Sequence, residues 1–144
     1  MTSPPSITVR RLIEASAEEL FDAWLDPESI AAWMRPGTIV RTTATIDARV
    51  GGAFEITMYG DSDVYRHQGV YCAIERPQRL SFTWMSPATK QKETLVTVEF
   101  NARGAATEVV VTHEQLPSED ERQSHTAGWT SALERLAEHL GEPS

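Results

Sequence analysis

Apolar and polar positions alternate with a period of two through most of the chain, and with a period near 3.6 at its end. Ile7, Val9, Arg11 and Ile13 alternate with Thr8, Arg10 and Leu12, which predicts a half-buried strand. The period of two returns from Ile39 to Val50, where Gly51-Gly52 predicts a hairpin turn. Phe54, Ile56 and Met58 then alternate with Glu55, Thr57 and Tyr59, up to a turn at Gly60-Asp61-Ser62-Asp63. Val64 to Glu75 forms the next predicted strand and ends near Arg76-Pro77. Leu80, Phe82 and Trp84 carry one face of another. Val96, Val98 and Phe100 carry a face of the strand from Thr94 to Phe100. A Gly-containing loop is expected over Asn101 to Ala106, and a last strand from Thr107 to Gln115 carries Val109, Val111 and His113 on one face.

The helical period appears in three places. Ser16 with Glu19 makes a capping-box pattern ahead of Leu20, Phe21, Trp24 and Leu25. Asp26-Pro27 breaks that helix and opens a second short one through Ile30, Trp33 and Met34, which Pro36-Gly37 ends. The third and longest helix is predicted from Pro117 to Leu140, with Ser118 and Glu121 as a second capping box. Trp129, Leu133, Leu136 and Leu140 form its apolar stripe, and His125 lies one turn earlier on the same stripe. Gly141 and Pro143 are its stop signals. Such a helix spans about 30–35 Å, the width of a small domain.

The predicted order is strand, two short helices, about six strands and a long helix, an α+β pattern. Strands joined by tight turns pair antiparallel. One face of such a sheet can be wet while the other needs a cover, and only the C-terminal helix is large enough. A curved sheet gripping one helix leaves a hollow between them, with the short helices closing one end.

Composition narrows the function classes. The chain has 144 residues, one domain by size, with an ordered core expected over about residues 7–140. Its net charge of −8 and lack of a Lys/Arg cluster speak against nucleic acid. One cysteine, Cys72, offers no disulfide framework, and inside a strand it is expected to be buried as a small apolar residue. No signal segment precedes Ile7 and no apolar run is long enough to span a membrane, so a cytoplasmic protein is expected. No metal-ligand spacing, phosphate loop, dinucleotide fingerprint or nucleophile elbow occurs, so neither metal nor cofactor is expected.

The ordered set Asp26-Pro27, Trp33-Met34 with Pro36-Gly37, IDARVGGAFEITM, HQGVYCAIERPQRLSFTW, and His125 with Gly128-Trp129 resembles one family. It is that of the activator of heat-shock-protein-90 ATPase homologue (AHSA) type, within the START-like (SRPBCC) helix-grip superfamily. The resemblance runs from about Ile7 to Leu140. It implies a helix-grip fold, with a curved antiparallel sheet of about seven strands wrapped around the C-terminal helix, and a cavity that in relatives receives apolar or amphipathic molecules. It implies no single activity, since relatives include lipid carriers, cyclases, receptors and a chaperone co-activator. The chain departs from common patterns at Met34-Arg35, where a second tryptophan and a glycine are frequent, and at Arg76-Pro77, where Asp-Pro is frequent. The first bears on the cavity mouth; the second reads as turn chemistry.

The candidate site residues are Trp33, Met34, Met58, Trp84, His113, His125 and Trp129. The apolar members end alternating or helical patterns near turns, where a cavity mouth is expected, although each also serves as core. Trp129 either lines the cavity or fills space, and Gly128 beside it suggests close approach of a strand or a ligand. His113 and His125 could orient a ligand, act as acid and base, or be satisfied core histidines. His67 shares an alternating face with Tyr65 and Tyr71, read as the outer one. Three functions follow in order. The first is binding of an apolar or aromatic small molecule. The second is a cyclase- or hydrolase-like enzyme using His125 or His113 beside Arg35 or Tyr59. The third is a chaperone or protein-interaction module. A homodimer is compatible with the sequence.

Overall fold

The computed structural model describes residues 6–86, 92–116 and 118–140. In chain order the elements are β1 (Ile7–Ile13), α1 (Ala17–Leu25), α2 (Pro27–Trp33), β2 (Arg41–Ile46), β3 (Ala53–Tyr59), β4 (Val64–Glu75), β5 (Arg79–Trp84), β6 (Thr94–Arg103), β7 (Ala106–Glu114) and α3 (Glu119–Leu140). The seven strands form one antiparallel sheet in the order β1-β7-β6-β5-β4-β3-β2. Only β1 sits out of sequence order, beside the last strand, because the two short helices carry the chain across from one sheet edge to the other. This is the α+β helix-grip architecture.

Register explains which side chains face inward, because directly paired residues in an antiparallel sheet share a face. One row runs Ile7, His113, Val96, Phe82 and Tyr71 across five strands. A second runs Val9, Val111, Val98 and Leu80. These rows and Phe54, Ile56 and Met58 of β3 bury their side chains against Leu133, Leu136 and Trp129 of α3. Phe54 lies opposite Gly69, and the glycine is required there: a Cβ would stand 1.9 Å from the Thr83 carbonyl oxygen and 2.5 Å from the Phe54 ring.

Local chemistry fixes the helix ends. Ser16 and Glu19 make a reciprocal capping box on α1, and the Asp26 carboxylate accepts from Glu28 N–H at the start of α2, where Pro27 occupies the first position. The Ser118 hydroxyl donates to the Glu121 carboxylate ahead of α3. Pro117, Gly141 and Pro143, assigned to the limits of that helix, lie outside the described residues.

Four expectations need correction. β2 ends at Ile46 rather than Val50, because Asp47 to Gly52 folds into its own loop: Asp47 pairs with Arg49 at 2.8 Å and Gly52 N–H donates to the Arg49 carbonyl. The loop expected over Asn101 to Ala106 is a two-residue turn, since Arg103 pairs with Ala106. Gly104, with φ 67°, takes its first central position. Cys72 is exposed, because the register of β4 shifts between Tyr71 and Ala73 and turns it outward. Arg76 does more than shape a turn. Its guanidinium forms a two-point ion pair with Asp22, tying the β4–β5 turn to α1, and stacks over the Phe21 ring at 5.6 Å.

Candidate functional site

Beneath the N-terminal half of α3 the sheet and helix do not close on each other. They leave a half-open pocket of about 150 Å³, lined by Met34, Met58, His67, Trp84, His125 and Trp129, with Pro36, Ser124, Gly128 and Ala132 at its margins. α2 supplies Met34 as its C-cap residue, the segment after it Pro36, β3, β4 and β5 supply Met58, His67 and Trp84, and α3 supplies the rest. Five of the seven predicted site residues therefore meet around one pocket: Met34, Met58, Trp84, His125 and Trp129.

Two do not line it. Trp33 is fully buried on the far side of α2, where its Nε1 donates to the Ala23 carbonyl at 3.0 Å and its ring meets Trp24 edge-on. His113, also fully buried, stands behind the pocket wall. Arg35 and Tyr59 are absent from the lining too. Arg35 donates back to the Ala32 carbonyl, and Tyr59 carries the Arg41 guanidinium 4.1 Å above its ring.

His67 is the member that sequence reasoning put on the wrong side. It is 8% exposed and faces inward with Ile56, its direct cross-strand partner. The alternation of β4 alone is ambiguous there, because Tyr65 is 39% exposed while Tyr71 is buried. The signal that resolves it is the pairing with β3, whose Ile56 is plainly an inward residue.

The hydrogen bonds assign the histidine tautomers. An indole N–H can only donate, so the 3.0 Å contact from Trp129 Nε1 makes His113 Nδ1 an acceptor. The His113 proton then sits on Nε2 and donates to Thr94 Oγ1 at 2.7 Å, while that hydroxyl donates to the Trp84 carbonyl at 2.6 Å. His113 is thus a neutral ring fixed at both nitrogens. Backbone carbonyls can only accept, so His125 Nδ1 carries a proton toward Glu121 O at 2.7 Å, and His67 Nδ1 one toward Ile56 O at 3.2 Å. In these two neutral rings Nε2 keeps its lone pair.

Electrostatics agree with that assignment. Burial, which penalises the charged ring, pulls His113 down to about 3, with a smaller push from His125, and His67 to about 4 against the opposing hydrogen bond to the Ile56 carbonyl. His125 is lowered by burial as well, against an opposing pull from the Glu121 carbonyl and carboxylate. The rings of His113 and His125 meet edge to face at 4.7 Å. Trp129 is enclosed by Trp24, stacked at 5.9 Å, and Trp84 at 5.3 Å. Trp84 Nε1 and Trp24 Nε1 are buried with no hydrogen-bond partner among the described residues. No group of three His, Cys, Asp or Glu side chains among those residues is arranged to hold a metal ion.

Of the two reasons expected for Gly128, close approach of a strand is not found among the described residues: a Cβ added there would meet nothing within 4 Å, and the residue borders the pocket.

The family model for activator of Hsp90 ATPase homolog 1-like proteins matches residues 14–141. The chain belongs to that family. Among solved structures it is similar to a protein from Chromobacterium violaceum, with a TM-score of 0.83 at 23% identity over 98% of this chain and 100% of the other. It also resembles an AHSA1-like protein from Aeromonas hydrophila, with a TM-score of 0.77 at 26% identity, covering 94% and 91% of the two chains. A third is a protein from Arthrobacter aurescens, with a TM-score of 0.80 at 22% identity, covering 96% and 87%. No curated protein sequence matches the chain. Among the described residues no helix is long and apolar enough to cross a membrane.

Proposed function

We propose that this AHSA-type domain binds an apolar or aromatic small molecule in the pocket between its sheet and α3. One observation carries the reading: the hollow beneath the helix is walled chiefly by aromatic rings and thioethers. Its volume of about 150 Å³ suits a single ring, since a dry apolar cavity of roughly that size is known to hold benzene. Two observations favour binding over acid–base chemistry: His113 is tied at both nitrogens behind the wall, and burial leaves the free Nε2 of His67 and His125 weakly basic.

Toluene is the direct probe. Titrated into the protein labelled at its methionine methyl groups, it is expected to give saturable NMR shifts centred on Met34 and Met58, with Met85 little changed. Absence of saturation up to the solubility limit of toluene, or shifts spread evenly over all methionines, would remove the binding reading.

A further inference from the structure

Besides the apolar wall, three features stand out: exposed Cys72, the exposed apolar side chains Val40, Val64 and Tyr65 near one sheet end, and the histidine nitrogens of the pocket. The last carries an inference furthest. We propose that the pocket selects a neutral single-ring ligand that donates a hydrogen bond, such as a phenol, and rejects the corresponding carboxylate. This rests on the binding reading above and gives it a chemical class.

The argument begins with what the protein offers to a ligand. Each lining histidine has its Nδ1 proton committed to a backbone carbonyl, Ile56 O for His67 and Glu121 O for His125. The nitrogen left for a ligand is Nε2, and in the neutral ring it can only accept. Both rings are nine-tenths buried, so a lone pair left unmatched beside an apolar ligand has little water to turn to. A ligand hydroxyl supplies the missing donor. An ether or a plain hydrocarbon does not.

The same wall turns away an anion. No Lys or Arg lines the pocket, and the charged side chain of the covering helix that acts on His125 is Glu121, one turn earlier. A carboxylate would set its lone pairs against the two Nε2 lone pairs and shed its hydration, with neutral donors only, the Ser124 hydroxyl and the Trp84 indole, and no cation to compensate. Size sets the remaining limit, because about 150 Å³ accommodates one ring and its substituent.

The test compares toluene, anisole, phenol and benzoate by calorimetry at pH 8, where the rings are neutral. Phenol is expected to bind about fivefold more tightly than toluene or anisole, the worth of one net neutral hydrogen bond. Benzoate is expected to bind more weakly than all three. In the double variant His67→Leu/His125→Leu the ratio of phenol to toluene affinity should fall to about one, whatever the change in toluene affinity itself.

That variant could be too unstable to measure, so the imidazole nitrogens of the unaltered protein give a second reading. Phenol, but not toluene, should shift the Nε2 resonance of His67 or His125 in a ¹⁵N spectrum, with Nδ1 remaining protonated. Equal affinity for toluene and phenol, an unmoved Nε2, or tight benzoate binding would overturn this inference and leave the pocket an unselective apolar site. Failure of all four probes to bind would instead overturn the binding reading itself.

Discussion

Beneath the C-terminal half of α3, Leu133, Leu136 and Ala137 are fully buried in the apolar cluster that contains Val109 and Val111 of β7. Beneath the N-terminal half, Trp129 and His125 face Met58, His67 and Trp84 across a hollow. One helix and one sheet build both ends, so the difference lies in the side chains. The packed end is built from branched aliphatics and alanine, which interdigitate to crystal-like density, whereas the hollow end is built from flat rings and from methionines, whose flexible thioethers can repack around a ligand. Gly128 widens the gap on the helix side. Polarity divides the same way. All three buried histidines, His67, His113 and His125, gather at the hollow end.

Acid should therefore break the hollow end first, and this is the largest effect expected. The folded rings of His113 and His67 hold their protons only near 3 and 4, and His125 is also lowered, while in the unfolded chain each titrates near 6.5. The unfolded state then binds more protons below 6.5. Stability from these groups is complete above that pH and is lost as pH falls toward 4 and then 3. Each tenfold weakening of proton binding on folding is worth about 1.4 kcal/mol, so the combined loss reaches several kcal/mol, a large share of an ordinary domain's stability. Asp22, held low chiefly by its hydrogen bond from Arg76, adds a separate loss only as pH falls below about 3.8. Urea midpoints measured from pH 8 to 4 should stay level to about 6.5 and then decline. A level profile down to pH 5 would show that the rings are not sequestered.

Trp129→Ala comes next. Removing a buried Trp typically costs about 3–5 kcal/mol, and a preformed hollow on one side would lower that figure. The structure adds an opposing contribution, because the loss of Trp129 Nε1 leaves His113 Nδ1 buried without its donor. The expected loss is therefore about 4–5 kcal/mol by urea denaturation, the upper part of that range. Leu133→Ala at the packed end is expected to cost about 2–5 kcal/mol too, and the two variants part company on ligand. Toluene binding should change in Trp129→Ala and stay as it was in Leu133→Ala. If Leu133→Ala alters binding as much, the two ends are not distinct.

How far this division was legible in the chain depends on the kind of signal. The packed end was written locally: Leu133 and Leu136 fall at helical spacing, and Val96, Val98, Val109 and Val111 alternate cleanly. Much of the hollow end was legible too, since Met34, Met58, Trp84, His125 and Trp129 were all singled out. What escaped was relational. The inward turn of His67 depends on its pairing with Ile56, and the outward turn of Cys72 on an irregularity in β4 pairing. Trp33 and Met34 are chain neighbours, yet a helix end sends one to the Ala23 carbonyl and the other to the pocket. The chain from Trp129 through His113 to Thr94 joins three elements, and no spacing announces it.

Trp129→Phe isolates that chain. The ring stays large and apolar, so packing changes little, but His113 Nδ1 loses its donor. The expected cost is about 1–3 kcal/mol, that of one buried acceptor left unmatched. A loss well under 1 kcal/mol would mean that His113 finds another partner or switches tautomer; the ¹⁵N chemical shifts of its ring would show which.

The smallest effect expected has the opposite sign. Glycine within a helix costs about 1 kcal/mol relative to alanine, and at Gly128 a Cβ would meet nothing within 4 Å. Gly128→Ala should therefore stabilise the protein by about 1 kcal/mol, raising Tm by about 2–4 °C for a chain of this size. The new methyl would project toward the hollow, so toluene should bind less well to the more stable protein. That pairing of opposite signs is what a residue kept for space should give. Higher stability with unchanged toluene binding would place Gly128 outside the pocket wall, and lower stability would mean the space beside it is not open.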